Sequence, residues 1–242
     1  MTGRLFVGTS GFAYPAWAPR FYPAGLRSSD LLPHYASRLT AVELNNTFYR
    51  QPRPEQVAAW LAATPPEFRF VVKAQRGGTM RSFGDPVGGL EWLTPPYRAF
   101  GERLGAVLFR VPDNLRRDDE RLARFLAAWP ADLPLVVEFR DPSWQADETI
   151  RALTAGGAAI CLTEMPEDEE PPTLRRTAGH LYLRLRRHDY TTDELRAWRD
   201  RVEPFLSVGD DAYVFFRHDE VGRGAELALE FRALAGDAGV GR

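Results

Sequence analysis

Eight short apolar segments alternate with helix-like segments from one end of the chain to the other, and this alternation restricts the fold more than any other feature. The strand candidates are Arg4–Gly8, Ala41–Leu44, Phe68–Lys73, Ala106–Arg110, Leu135–Phe139, Ala158–Leu162, His180–Arg184 and Ala212–Phe216. They are rich in Val, Leu and Phe and mostly too short for helices. Between them, Ser28, Ser29 and Asp30 offer N-caps to LLPHYASRL, and Pro54 opens PEQVAAWLAAT. Asp118 and Asp119 precede ERLARFLAAW, in which Leu122, Phe125, Leu126 and Trp129 share a face. Thr191–Glu194 has the spacing of a capping box, and Gly222–Leu234 is amphipathic.

Strands spaced roughly 20–40 residues apart with helices between them are βαβ units. Eight such units predict an α/β chain, a single (β/α)8 TIM-like barrel over residues 1–242 with a parallel sheet and outer helices. An open doubly wound sheet is the competing arrangement, and it would leave two bare edges. The polar stretch PEDEEPPTLRR at 166–176 predicts that the sixth helix is short or replaced by a loop. The Gly-rich stretch at 77–89 reads as a loop after the third strand and a candidate mobile lid.

In a parallel barrel, ligands sit at the C-terminal ends of the strands, and in this chain most strands end in polar groups. Period-two alternation pairs Glu43 with Asn45, Glu138 with Arg140, and Tyr182 with Arg184 on common faces. Lys73 closes the third strand, Arg110 the fourth, and Arg217, His218 and Asp219 the eighth. The first strand runs into TSGFAYPAWAPRFYP, a loop dense in aromatics. Of 31 Lys and Arg residues only Lys73 is lysine, which singles it out chemically. One charged strand end is uninformative, but charges ending most of the strands predict a site.

The stretches VGTSGFAYPAWAPRFYP, VELNNTFYRQP, FRFVVKAQR, LGAVLFRVP, LVVEFRDPSW and LYLRL resemble, in that order, the YecE-like family, a domain of unknown function numbered 72 in its series. The resemblance runs from Val7 to about Leu234. It implies a TIM-like barrel and brings no established activity. It places Gly8, Thr9, Ser10, Gly11, Tyr14, Trp17 and Glu43 on motif positions. Asn45, Phe48, Tyr49, Lys73, Glu138, Arg140 and Trp144 fall on others. Where the family usually has glutamine this chain has Arg110, and where it has an Asn-Asn pair this chain has Arg217 and His218. The mouth is thereby expected to be more cationic than in a typical member.

Roles follow from the chemistry of these groups. Glu43 and Glu138 are candidates for acid and base, since two carboxylates in unlike surroundings can split their pKa values. Lys73 is either a catalytic amine or the ion-pair partner of Glu43 or Glu138, and the ion pair is the expected resting state. Arg110, Arg140, Arg184 and Arg217 can hold phosphate or carboxylate in a guanidinium fork. Ser10, Tyr14, Asn45, Tyr49, Trp144, Tyr182 and His218 complete the candidate ligand set, the aromatics by stacking. The expected partner is a small anionic, polyhydroxylated molecule such as a sugar phosphate or nucleotide fragment. The chemistry would be an acid/base isomerisation, lyase step or hydrolysis. The alternatives are a binding protein for single-stranded or damaged nucleic acid, using the arginines and rim aromatics, a metal-dependent phosphodiesterase on a similar barrel, or a structural barrel whose charged mouth neutralises itself.

No cofactor is expected. The four histidines lack zinc-helix spacing and Cys161 has no second thiol beside it. Glu43, Glu138 and Asp219 could take Mg²⁺ or Mn²⁺, which prefer oxygen ligands, but the nearby cations argue against it. A formal charge of −2 and a pI near 6.1 argue against a chain that coats nucleic acid electrostatically. A lone cysteine, no signal-like N-terminus and no membrane-length apolar run point to a cytoplasmic protein with no membrane partner. No feature sets an oligomeric state.

Overall fold

A computed structural model describes residues 2–236. The strands are β1 (Leu5–Thr9), β2 (Ala41–Leu44), β3 (Arg69–Lys73), β4 (Leu104–Arg110), β5 (Leu135–Glu138), β6 (Ala159–Glu164), β7 (His180–Leu185) and β8 (Asp211–Phe216). All neighbours are parallel, in the order β1-β8-β7-β6-β5-β4-β3-β2. The helices outside them are α1 (Leu31–Arg38), α2 (Pro54–Ala62), α3 (Arg76–Gly84), α4 (Pro86–Leu93), α5 (Pro95–Arg98), α6 (Asp119–Ala128), α7 (Asp147–Ala155), α8 (Thr192–Ser207) and α9 (Arg223–Gly236). This is a nearly closed (β/α)8 TIM-like barrel.

Local sequence explains most helix starts. Pro54 occupies the first turn of α2, where its missing N–H costs nothing. Asp118 caps α6 by accepting the Arg121 N–H, and Thr191 with Glu194 forms a complete capping box on α8. Leu195, Trp198, Val202 and Leu206 then bury one stripe of α8. Asp30 does not cap α1; its carboxylate takes Arg27 and Ser29 instead, and Ser28–Asp30 forms a 3₁₀ turn.

The Gly-rich stretch expected to be a mobile loop is helical, in α3 and α4. The Gln75 side chain accepts the Gly78 N–H and so caps α3. A Cβ at Gly89 would stand 2.5 Å from the Ser82 Cα. The glycine therefore lets α4 lie directly on α3, a packing role that composition alone presents as looseness. Between β6 and β7 the expected loop stands in place of a helix.

Alternation along the strands divides the core in two. Phe6, Ala41, Val71, Leu108, Tyr182 and Phe215 belong to the cluster inside the barrel. Val7, Val42, Val72, Phe109, Val137 and Leu183 face the helices in the larger outer cluster. Phe6 stacks on Tyr213 at 4.9 Å and forms part of an aromatic floor beneath the mouth.

The barrel is closed unevenly. The strands form two well-paired runs, β2–β3–β4–β5 and β6–β7–β8–β1. Between β1 and β2 the ladder is reduced to the isolated bridge Ser10–Glu43, with the Gly11 N–H donating to the Glu43 carbonyl at 2.8 Å, and Val7 exchanges hydrogen bonds with Thr40 just before β2. Tyr35 fills part of the remaining gap. Its buried hydroxyl accepts the Thr9 N–H at 2.7 Å and donates to the Ala41 carbonyl at 3.0 Å. Gly8 makes this closeness feasible, because a Cβ there would lie 1.9 Å from the Ala41 carbonyl oxygen. Between β5 and β6 the ladder stops at Val136–Ala159 and Val137–Ile160.

Tyr35→Phe removes the group that satisfies both strand edges while keeping the ring. It is expected to lower unfolding free energy by about 1–3 kcal/mol, since a buried backbone donor and acceptor lose their partner. Urea denaturation measures this; an unchanged midpoint would mean that the seam is held elsewhere.

Candidate functional site

The inward rows of six strands deliver polar groups to one layer at the C-terminal mouth. Ser10 follows β1, Glu43 lies on β2, Lys73 ends β3, Glu138 ends β5, Cys161 and Thr163 lie on β6, and Tyr182 and Arg184 on β7. Glu43, Glu138 and Arg184 are all at most 2% exposed, so their charges depend on one another. Arg184 donates from Nη2 to Glu43 Oε1 at 2.9 Å and from Nη1 to Glu138 Oε1 at 3.0 Å. Glu43 also accepts the Ser10 hydroxyl at 3.0 Å on Oε1 and the Tyr182 hydroxyl at 2.6 Å on Oε2. Glu138 Oε1 receives Arg140 Nη2 at 2.9 Å as well.

The two carboxylates are therefore unequal. Both oxygens of Glu43 are occupied. Glu138 holds two guanidiniums on Oε1, while its buried Oε2 has no partner. Burial pushes both pKa values up, but Arg184, followed by Lys73, more than offsets this and holds both below the usual carboxylate range. Both are ionised at neutral pH, with Glu43 locked and Glu138 offering a free oxygen.

Lys73 departs from the expected resting ion pair. No carboxylate oxygen lies within 4.0 Å of its Nζ among the described residues, and the ammonium instead lies over the Phe48 ring, 4.7 Å from the centroid. Burial lowers its pKa below the ordinary lysine value, against the pull of Glu138. The physical reason is competition: Arg184 takes both carboxylates with a planar fork that an ammonium cannot match.

The other candidates are placed as follows. Tyr182 is fully buried and orients Glu43, so it is out of a ligand's reach. Trp144 is 2% exposed, donates to the Leu115 carbonyl at 2.8 Å and stacks on Phe139 at 4.6 Å, so it pins two loops where a rim cap was expected. Arg110 leans outward to Asp113 at 2.6 Å, and Arg217 donates to His188. Tyr14 stacks on His218 at 5.2 Å with nearly parallel rings, and its hydroxyl reaches the Ser10 carbonyl. Asn45 is half-buried at the end of β2, and Tyr49 is 78% exposed on the rim. Asp219 is not a free metal ligand, because its two oxygens accept the N–H groups of Val221, Gly222, Arg223 and Gly224 at the start of α9. Among the described residues no group of three or more His, Cys, Asp or Glu could hold a metal ion.

Arg186 was missed because β7 was read as ending at Arg184. Two residues further on, the same alternation carries a third side chain to the mouth, and that pattern could have found it. Its guanidinium has no carboxylate partner among the described residues, and burial followed by Arg184 disfavours its charge. Burial, then Arg186 and Arg217, also keeps His218 below the ordinary histidine range. Cys161, inside the barrel, is pushed up to about 12 by burial and remains a thiol. No helix among the described residues is long and apolar enough to cross a membrane.

Known proteins match the chain over nearly its whole length. The family model described as "Protein of unknown function DUF72" matches residues 6–241, and the chain belongs to that family. The UPF0759 protein YunF of Bacillus subtilis is 23% identical over 96% of this chain and 97% of its own. The UPF0759 protein YecE of Escherichia coli is 29% identical over 59% of this chain and 50% of its own. A DUF72 family protein of Thermotoga maritima has a similar crystal structure, with TM-score 0.83, 28% identity and coverage of 96% of this chain and 99% of that one. One from Enterococcus faecalis, at 19% identity and TM-score 0.80, shares the fold.

Two outcomes test the electrostatics. Glu43→Ala leaves Arg184 Nη2 and the Tyr182 hydroxyl without their acceptor and is expected to destabilise by about 3–5 kcal/mol in urea denaturation. For Lys73, the native pKa lies below the unfolded one, so between them the unfolded state binds more protons and stability rises with pH. The stability of wild type relative to Lys73→Met is therefore expected to improve as pH rises toward the ordinary lysine pKa, and a difference independent of pH would contradict a depressed pKa.

Proposed function

We propose that this DUF72 chain binds a small anionic, polyhydroxylated molecule, such as a sugar phosphate, at the C-terminal mouth and carries out acid/base chemistry on it. The observation that carries this reading is the selective lack of partners. In a layer where Glu43, both Nη atoms of Arg184 and one oxygen of Glu138 are hydrogen-bonded, three groups besides the buried Arg184 Nε are left open: Glu138 Oε2, Lys73 Nζ and the Arg186 guanidinium. A base, an acid and an anion holder are the parts that such a reaction requires.

In this reading Arg186, aided by Arg140, takes the anionic group. Its charge is disfavoured in the empty mouth, so an arriving anion removes a cost already present. Glu138 is the base, since an ionised carboxylate with an open oxygen can accept a proton from a carbon or a hydroxyl. Lys73 is the acid. Its lowered pKa brings it closer to the working pH, which favours proton donation in the transition state. Glu43 holds Arg184 in place and does not touch the ligand. Proton removal at one carbon and return at a neighbouring one, an isomerisation, uses all three open groups; lyase and hydrolase steps use the same parts. The nucleic-acid alternative is less favoured, because the outer arginines it needs are turned to local partners, Arg110 to Asp113 and Arg217 to His188.

Thermal denaturation with inorganic phosphate and a panel of sugar phosphates tests the reading. A ligand at about 100 times its Kd should stabilise the protein by about 2.7 kcal/mol. Arg186→Ala is expected to weaken phosphate binding about tenfold or more, equivalent to about 1.4 kcal/mol. Glu138→Gln should keep binding and abolish turnover of any substrate found. No stabilisation by phosphate or any sugar phosphate at millimolar concentration would remove the proposal.

A further inference from the structure

Beyond Val137 and Ile160 no ladder pair joins β5 to β6, whereas β6 stays paired to β7 as far as Glu164–Leu185. A cleft of about 590 Å³ opens in the gap, walled by α7 and by the loop that replaces the sixth helix. Its volume falls within the roughly 300–1,000 Å³ of small-molecule sites. Glu138, Cys161 and Thr163 line its inner end, so the cleft and the charged layer share a wall.

Two independent features define what would fit. The first is Glu138, a residue of the cleft lining, whose buried Oε2 has no hydrogen-bond donor although its sister oxygen holds Arg184 and Arg140. Those two guanidiniums and nearby Lys73 repel a cation at this oxygen, so the donor it suits is a neutral hydroxyl. The second is the composition of the rest of the cleft. Asp141, Asp147, Asp168 and Glu170 line it along with Glu138, against only Arg140 and Arg175. Ile150, Ile160 and Leu162 provide apolar wall between these polar groups. Carboxylates that accept from hydroxyls, set beside a surface for C–H faces, suit a sugar ring and repel a phosphate.

We infer that the β5–β6 cleft is a subsite for the uncharged, hydroxylated end of the ligand, a sugar ring whose hydroxyl donates to Glu138 Oε2. The inference rests on the mouth reading for the other end of the molecule. Lys73 and Arg186 attract the anionic group while the acidic cleft rejects it, so the ligand enters in one orientation. Glu138 then stands at the junction, beside the carbons that link the two ends. The split in the sheet is what lets a molecule longer than the mouth is deep reach this carboxylate.

Saturation-transfer NMR and titration calorimetry with free pentoses and hexoses, their monophosphates and inorganic phosphate test the inference on wild type and on Ile150→Trp and Met165→Trp. Both substitutions fill the cleft from its outer walls and leave the charged layer untouched. Circular dichroism and thermal melts establish which of them fold. Neutral-sugar signals seen with wild type should vanish in the filled variants. Sugar-phosphate affinity should fall about tenfold or more, to that of inorganic phosphate, while phosphate affinity stays within about twofold. Unchanged sugar-phosphate affinity in a folded, filled variant overturns the subsite, as does the absence of any cleft-dependent sugar signal in wild type. Cleft-dependent binding of neutral sugars without phosphate binding would keep the subsite and remove the mouth reading.

Discussion

The guanidinium of Arg184 reaches from β7 to Glu43 on β2 and to Glu138 on β5, and the rest of the interior is arranged around that double contact. The two carboxylates sit at opposite ends of the run β2–β3–β4–β5, next to the two places where the strand ladder is interrupted. One arginine from the other run therefore spans both joints. Removing three ions from water costs several kcal/mol each, and only close, well-aligned pairing offsets it. Ser10, Tyr182 and Arg140 complete the hydrogen bonding, which is why those side chains are tied to the scaffold as well as to the mouth. The arrangement also explains Lys73: with both acids engaged by the stronger fork, the only lysine is left unpaired.

Much of this was legible in the sequence. Short apolar runs placed all eight strands within two residues of their observed ends, and the polar residues that close those runs put Glu43, Lys73, Glu138 and Arg184 at one mouth. The caps at Asp118 and Thr191 were readable because a cap is a local bond between residues three apart. The loop that stands in place of a helix between β6 and β7 was readable because prolines and acids cannot bury a helical face. What failed needed distance. Gly89 signals a loop by composition, and only the approach of Ser82 shows that it serves packing. Trp144 was read as a rim group, although the Leu115 carbonyl that claims its indole lies 29 residues earlier. The division of labour between Glu43 and Glu138 depends on which oxygen meets which donor, and no one-dimensional pattern encodes that.

The two joints are built from different materials. At β1–β2 a tyrosine hydroxyl and a glycine bring the strands together, and the closure is tight. At β5–β6 two residue pairs hold the strands, which then diverge around space. Specific polar bonds at one side and an opening at the other give the wall one stiff edge and one compliant edge. Family members of low identity share this fold, with a TM-score of 0.80 at 19% identity, so the architecture tolerates wide change in the side chains that cover it.

That the barrel consists of two staves under a single clasp has a mechanical corollary. Whatever draws electron density from Glu138 or gives it a proton slackens one half of the clasp, and the nearest part free to yield is the unzipped margin of β5 and β6. Occupancy of the interior and the width of its side entrance are thereby geared to the same atom, so the container itself registers whether it is full.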